Sequence, residues 1–203
     1  MKRIALFITI VVLFTGCSTV RPPIKEYTLL PSYTPAHDSP ASFNGTLKLS
    51  STRSIASLAS TQFYYLKEDS SINAYLYSKW SDTPSSMIDR SVTSSLQKEQ
   101  LFETLIPPTS SATADLILES DLNAFYHRFH NGSTSEGFIN ITYRLINPKT
   151  KITIASKHFT IIEPSPSSDA KGGVIALGNA THNLSEQCAS WLTLILKENK
   201  WIK

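Results

Sequence analysis

Two hundred and three residues, 41% hydrophobic and 17% charged, suffice for one compact domain with a sizeable core and are too few for two large ones. That composition excludes disorder of the whole chain. The formal charge of +3 falls to +1 once Lys2 and Arg3 are set aside with the leader described next, which leaves no basic footprint for nucleic acid.

Residues 1–16 read as a signal peptide: a positive start at Lys2 and Arg3, an apolar run from Ile4 to Phe14, and small residues at Thr15 and Gly16. The run is too short to cross a bilayer, which takes about 20 residues. Ending in Gly16-Cys17, it resembles a bacterial lipobox, in which the thiol of Cys17 is acylated and becomes the N-terminus of the mature chain. Two or more acyl chains anchor a protein where one does not. Ser18 stands where the sorting rule for inner-membrane retention has Asp, so the expected location is the outer membrane, lipid-anchored and facing the periplasm. With Cys17 acylated, Cys188 has no disulfide partner and is expected in the core.

Residues 17–45 carry five of the eleven prolines, Pro22, Pro23, Pro31, Pro35 and Pro40, and read as a tether with one apolar island at Tyr27-Thr28-Leu29-Leu30. Residues 46–203 form the domain. Thr46–Leu49 alternates as a first strand, and Gln62–Leu66 with Asn73–Trp80 makes a hairpin around the polar turn Lys67–Ser71. Thr83 is a favourable N-cap and Pro84 a favourable first helical residue. The stripe Met87, Ile88, Val92 and Leu96 carries that helix to the neighbourhood of Phe102.

Asp115–Phe129 alternates, with Leu116, Leu118, Leu122, Ala124 and Tyr126 on an inward face and Glu119, Asp121, Asn123 and His127 outward. Ile139, Ile141, Tyr143 and Leu145 point inward from the next strand. Lys151–Ile162 completes a meander, with a bulge predicted near residue 155, where its apolar phase slips. Leu177, Ala180, Leu184, Cys188, Trp191 and Ile195 then recur at helical spacing. The order of elements predicts an α+β fold: an antiparallel sheet with two amphipathic helices on one face, a two-layer sandwich.

Sites of chemistry are sparse. The seven glycines form neither dinucleotide nor phosphate-loop patterns, and there is no GxSxG elbow. His127 and His130 lie three apart on a strand and so face opposite ways. With no completing cluster they read as exposed strand-end histidines, not a metal site. Glu119 and Asp121 read as solubilising. No catalytic residues, metal or cofactor are expected, and the chain is expected not to be an enzyme. The aromatic hairpin, with Phe63, Tyr65, Tyr75, Tyr77 and Trp80 as candidate partner-binding residues, bears rings on both faces. One set belongs to the core. The other is either covered by the N-terminal segment or offered to a partner or lipid surface.

Taken together, Cys17, the Tyr27-Thr28-Leu29 entry, the run Tyr75–Trp80 followed by Thr83-Pro84, the helix ending Leu101-Phe102, Ala114-Asp115-Leu116-Ile117-Leu118, and Trp191-Leu192 in the last helix resemble a known family. This is the ABC-type transport auxiliary lipoprotein family, the PqiC-like lipoproteins of MCE-type lipid transport systems. The resemblance implies a non-enzymatic periplasmic subunit that binds an MCE-domain or ABC transporter subunit, with a homo-oligomer possible, and helps move lipids or hydrophobic molecules between membranes. The alternative is a structural envelope lipoprotein that binds another outer-membrane component or peptidoglycan and moves nothing.

Overall fold

The computed structural model describes residues 22–30, 42–130 and 134–202. The signal peptide and Cys17 lie outside them. The elements are β1 (Lys25–Tyr27), β2 (Phe43–Leu49), β3 (Arg53–Ser54), a short 3-10 turn (Ala56–Leu58), β4 (Gln62–Leu66), β5 (Ile72–Trp80) and α1 (Pro84–Lys98). They continue with β6 (Phe102–Ile106), β7 (Leu116–His130), β8 (Thr134–Asn147), β9 (Ile152–Pro164) and α2 (Ala170–Glu198). β1 and the start of β2 thus fall within the stretch read as tether.

The α+β class and the pairing of two helices with one sheet are as predicted. The sheet itself is mixed, not wholly antiparallel. β7, β8 and β9 form the expected antiparallel meander, and β4 and β5 the expected hairpin. The opposite side of β7, however, receives β2 at Leu116–Leu118, β3 at Asp121–Leu122 and β4 at His127–Arg128, all parallel. One fifteen-residue strand therefore serves as the spine along which the chain from Leu47 to Leu66 advances in three short steps. β1 adds parallel to β5 and β6 parallel to β2.

α1 starts where the sequence indicates: the Thr83 side chain accepts from the Ser86 amide and Pro84 needs no partner for a missing N–H. It stops at Lys98, four residues short of the prediction. Gln100 takes a left-handed conformation (φ 48°), and Leu101 and Phe102 turn back into β6, which the sequence reading missed. α2 begins earlier than the predicted stripe, at the N-cap Asp169, whose carboxylate accepts from the Gly172 amide at 2.8 Å.

The core lies between the helices and the sheet. Leu116, Leu118 and Leu122 of β7, Ile139, Ile141, Tyr143 and Leu145 of β8, and Phe159 and Ile161 of β9 are buried with Leu177, Ala180, Leu184, Cys188 and Leu192 of α2. Each such large side chain contributes roughly 1.5–3 kcal/mol relative to exposure. Cys188 is buried as expected, and burial pushes its thiol up to about 12. α2 reaches the sheet closely only because position 137 is glycine. A Cβ there would lie 2.6 Å from the Ala176 carbonyl carbon and 2.7 Å from the Leu177 amide nitrogen.

Two bulges set the phase of the meander. The one in β9 sits at Ile154, next to its predicted place. The second was not foreseen: the β7–β8 register shifts between Leu122 and Ala124, so the strand resumes with Phe125 opposite Ile139 and His127 opposite Gly137. Beyond Asn123 it is Phe125 and His127 that face the helices, while Ala124 and Tyr126 turn to the other face, where they are buried all the same.

Candidate partner-binding surface

The hairpin divides its aromatic residues by the pleat. Phe63 and Trp80 are buried, with ring centroids 4.5 Å apart, and Trp80 meets Phe125 edge-on at 5.6 Å. They are core residues, so neither can touch a partner directly. Tyr65 and Tyr75 are half-buried, their rings 4.9 Å apart, and Tyr65 also contacts Phe129. Of the five candidate residues, Tyr77 alone is exposed, at 42%. The β4–β5 register shifts between Gln62 and Tyr64, so β5 carries a bulge that turns the consecutive residues Leu76 and Tyr77 outward, Leu76 being 74% exposed. The apolar surface of the hairpin is therefore Leu76, Tyr77 and Ile72, not the cluster indicated by residue type.

Behind this hairpin sits the group the sequence reading misplaced. His127 was expected to be an exposed strand-end histidine; it is fully buried, because the Asn123 bulge swings it beneath α2. Its Nδ1 shares a hydrogen bond with the Tyr75 hydroxyl at 2.7 Å, while Nε2 has no protein partner. A Cβ on Gly173 would come 2.5 Å from Nδ1, so the first turn of α2 rests on the ring. Burial lowers its pKa to about 4, partly offset by Asp169 at the helix start. The same low-polarity setting raises the Tyr75 hydroxyl well above its ordinary range. His130 lies on the opposite face, beside Glu136, where the Arg128 guanidinium also pairs with that carboxylate and stacks on Phe138 at 3.9 Å.

The face of the sheet away from the helices is polar along β7. Asp121 joins Arg53 of β3 and Arg144 of β8, which hold its carboxyl down at about 2. Asn123, Asn140, His158 and Thr160 continue the row through hydrogen bonds of 2.8–3.2 Å. Asp121 thus lies on the solvent side, as alternation indicated.

A concavity of about 510 Å³ opens between α1 and the end of β6, with Leu49, Leu105, Ile106, Pro107 and Pro108 opposite Asp89, Thr93 and Gln97. Asp89 accepts from the Thr52 amide at 3.1 Å and from its hydroxyl, which also meets Ser120. Burial raises the Asp89 pKa, and the two Thr52 bonds oppose the shift. Nothing in the sequence pointed to this cluster, since Asp89 comes from α1, Ser120 from β7 and Thr52 from the segment between β2 and β3.

These displaced groups do not converge: His127 is bonded beneath the start of α2, Asp89 beside β6, and Cys188 in mid-core. The residues from Tyr27 to Ala189 match the family described as ABC-type transport auxiliary lipoprotein component. The chain belongs to this family. Among solved structures, protein XCC0632 from Xanthomonas campestris superposes with a TM-score of 0.77 at 15% identity, over 87% of this chain and 98% of that one. A second, an uncharacterized protein, gives 0.65 at 12% identity over 84% and 99%. Both share the fold. No curated protein matches by sequence. Among the described residues of this auxiliary lipoprotein, no helix is long and apolar enough to cross a membrane.

Proposed function

We propose that this auxiliary lipoprotein is a periplasm-facing subunit of an MCE-type envelope transport system, held to the outer membrane through acylated Cys17. It assists the movement of lipids or other hydrophobic molecules by binding the transporter and catalyses no reaction itself. The family match over residues 27–189 carries this reading. It is supported by the scattering of the perturbed titratable groups: His127 under α2, Asp89 bonded to Thr52 and Cys188 in mid-core share no common cleft. The contact surface is Leu76 and Tyr77 on the bulge of β5, with Ile72 at the start of that strand. Anchorage confines both partners to one envelope, so weak affinity suffices through effective concentration.

Photo-crosslinking in cells from positions 76 and 77 tests the reading. Crosslinks to an MCE-domain or ABC transporter subunit are expected. Crosslinks only to peptidoglycan or to unrelated outer-membrane proteins would instead assign the chain a structural role.

A further inference from the structure

The sheet ends on one side at β9, thirteen residues hydrogen-bonded to β8 and to no other described strand. Folded proteins ordinarily shorten, bend or cover an open edge of that length. The other terminal strands comply: β1 has three residues, and β6 has five and runs into Pro107 and Pro108. β9 does not. Beside it, a recess of about 430 Å³ separates the strand from the outer flank of α2, lined by Lys157, Asn183, Gln187, Trp191 and the 54%-exposed Leu194.

Along β9, Lys157, buried Phe159, buried Ile161 and Glu163 share the helix-covered face, and Ser156, His158, Thr160 and Ile162 the open one. The two charges are underused. Lys157 makes no ion pair among the described residues and lies over the Phe159 ring, Nζ to centroid 4.9 Å. Glu163 has one carboxylate oxygen engaged by the Asn183 amide at 2.9 Å.

We infer that β9 pairs with β9 of a second copy of this chain, antiparallel and centred on Thr160, extending one sheet through both molecules. The charges select that register. Centring on Thr160 sets Lys157 opposite Glu163 twice over, Phe159 opposite Ile161, and His158 opposite the exposed Ile162. Centring on Phe159 would set Lys157 against Ile161 and Glu163 against Ala155. Centring on Ile161 would set them against Ser165 and Phe159. Parallel pairing in register would oppose like charges, which costs stability in a sheet. An antiparallel self-pair is isologous and closed, so it yields a dimer, not a fibre. Its ion pairs act chiefly on register and specificity. The inference does not depend on the transport reading.

The test uses the full chain in its own membrane with cysteine at Thr160. Directly opposed residues have Cβ atoms about 4.5–5.5 Å apart, close enough for a disulfide after small adjustment. Mild oxidation of T160C is expected to give a covalent dimer at least tenfold more abundant than from S156C, where the opposed residue is Pro164, or from the unsubstituted chain with its own Cys17 and Cys188. Adding K157E or E163K is expected to lower the yield several-fold, and the K157E/E163K exchange to restore it. Thermal melts check that each variant is folded. If a charge variant unfolds, the comparison of Thr160 with Ser156 still decides. No dimer at Thr160, equal yield at Ser156, capture of a different protein, or yields indifferent to the charge reversals would each overturn the inference.

Discussion

Acidification tests the packing of α2 on the sheet through His127. The ring has a folded pKa of about 4 against an unfolded value of 6.5. The unfolded chain therefore takes up the proton first. Stability from this group is fully present above pH 6.5, falls as the pH drops toward 4, and changes no further below that. The whole shift corresponds to about 3 kcal/mol, of which about 2 is lost by pH 5. For a domain of this size that is a fall in Tm of roughly 4–8 °C. The cause is local: the ring is sealed under Gly173 and bonded to Tyr75, so an imidazolium there would be desolvated with only Asp169 nearby to favour it. The assay is thermal unfolding at pH 7.5, 6.5, 5.5 and 5.0 of the parent and of His127→Phe, which keeps a ring and removes the ionisation. Every other ionisable group is common to the two proteins and cancels in the difference. His127→Phe is expected to be less stable at pH 7.5 by about 1 kcal/mol, for the lost hydrogen bond. The gap should close or reverse by pH 5. If both proteins lose the same stability between pH 7.5 and 5, or if the imidazole is seen by NMR to titrate near 6.5, the burial argument is wrong.

Three further outcomes are expected. Gly137→Ala should destabilise by roughly 1–3 kcal/mol in urea unfolding, because the added methyl meets backbone of α2 and not a yielding side chain; an unchanged midpoint would mean that α2 sits farther from β8. The Cys188 thiol, buried and pushed up to about 12, should react with a maleimide only after denaturant is added, and labelling at the unfolded rate would place it on the wrong side of the helix. Cys17→Ala should abolish palmitate incorporation and release the chain from the membrane fraction; continued labelling would refute the lipobox.

Spacing along the chain was enough to read whatever local geometry governs. The Thr83-Pro84 helix start, the hairpin around Lys67–Ser71, the three-strand meander and the buried stripe through Cys188 all follow from periods of 3.6 and 2 residues and from which backbone groups need a partner. The α+β class follows from their order. Three things required the tertiary structure. The parallel docking of β2, β3 and β4 along one side of β7 joins residues sixty or more positions apart, and no local period encodes which edge a short strand will choose. Where Leu101-Phe102 belonged was decided by a turn at Gln100 and by the open edge of β2, so an apolar pair that extends a helical stripe became the start of a strand. Most consequential is the extra residue at Asn123. Counting from Leu116 sends His127 to solvent and Tyr126 to the helix-covered face, but one bulge inverts every later side chain, because a pleat has only two faces. The cost of a bulge is set by packing against neighbours remote in sequence. The chain alone could thus name the aromatic residues of the hairpin, while the fold decided that Phe63 and Trp80 are core and that Leu76 and Tyr77 meet the solvent.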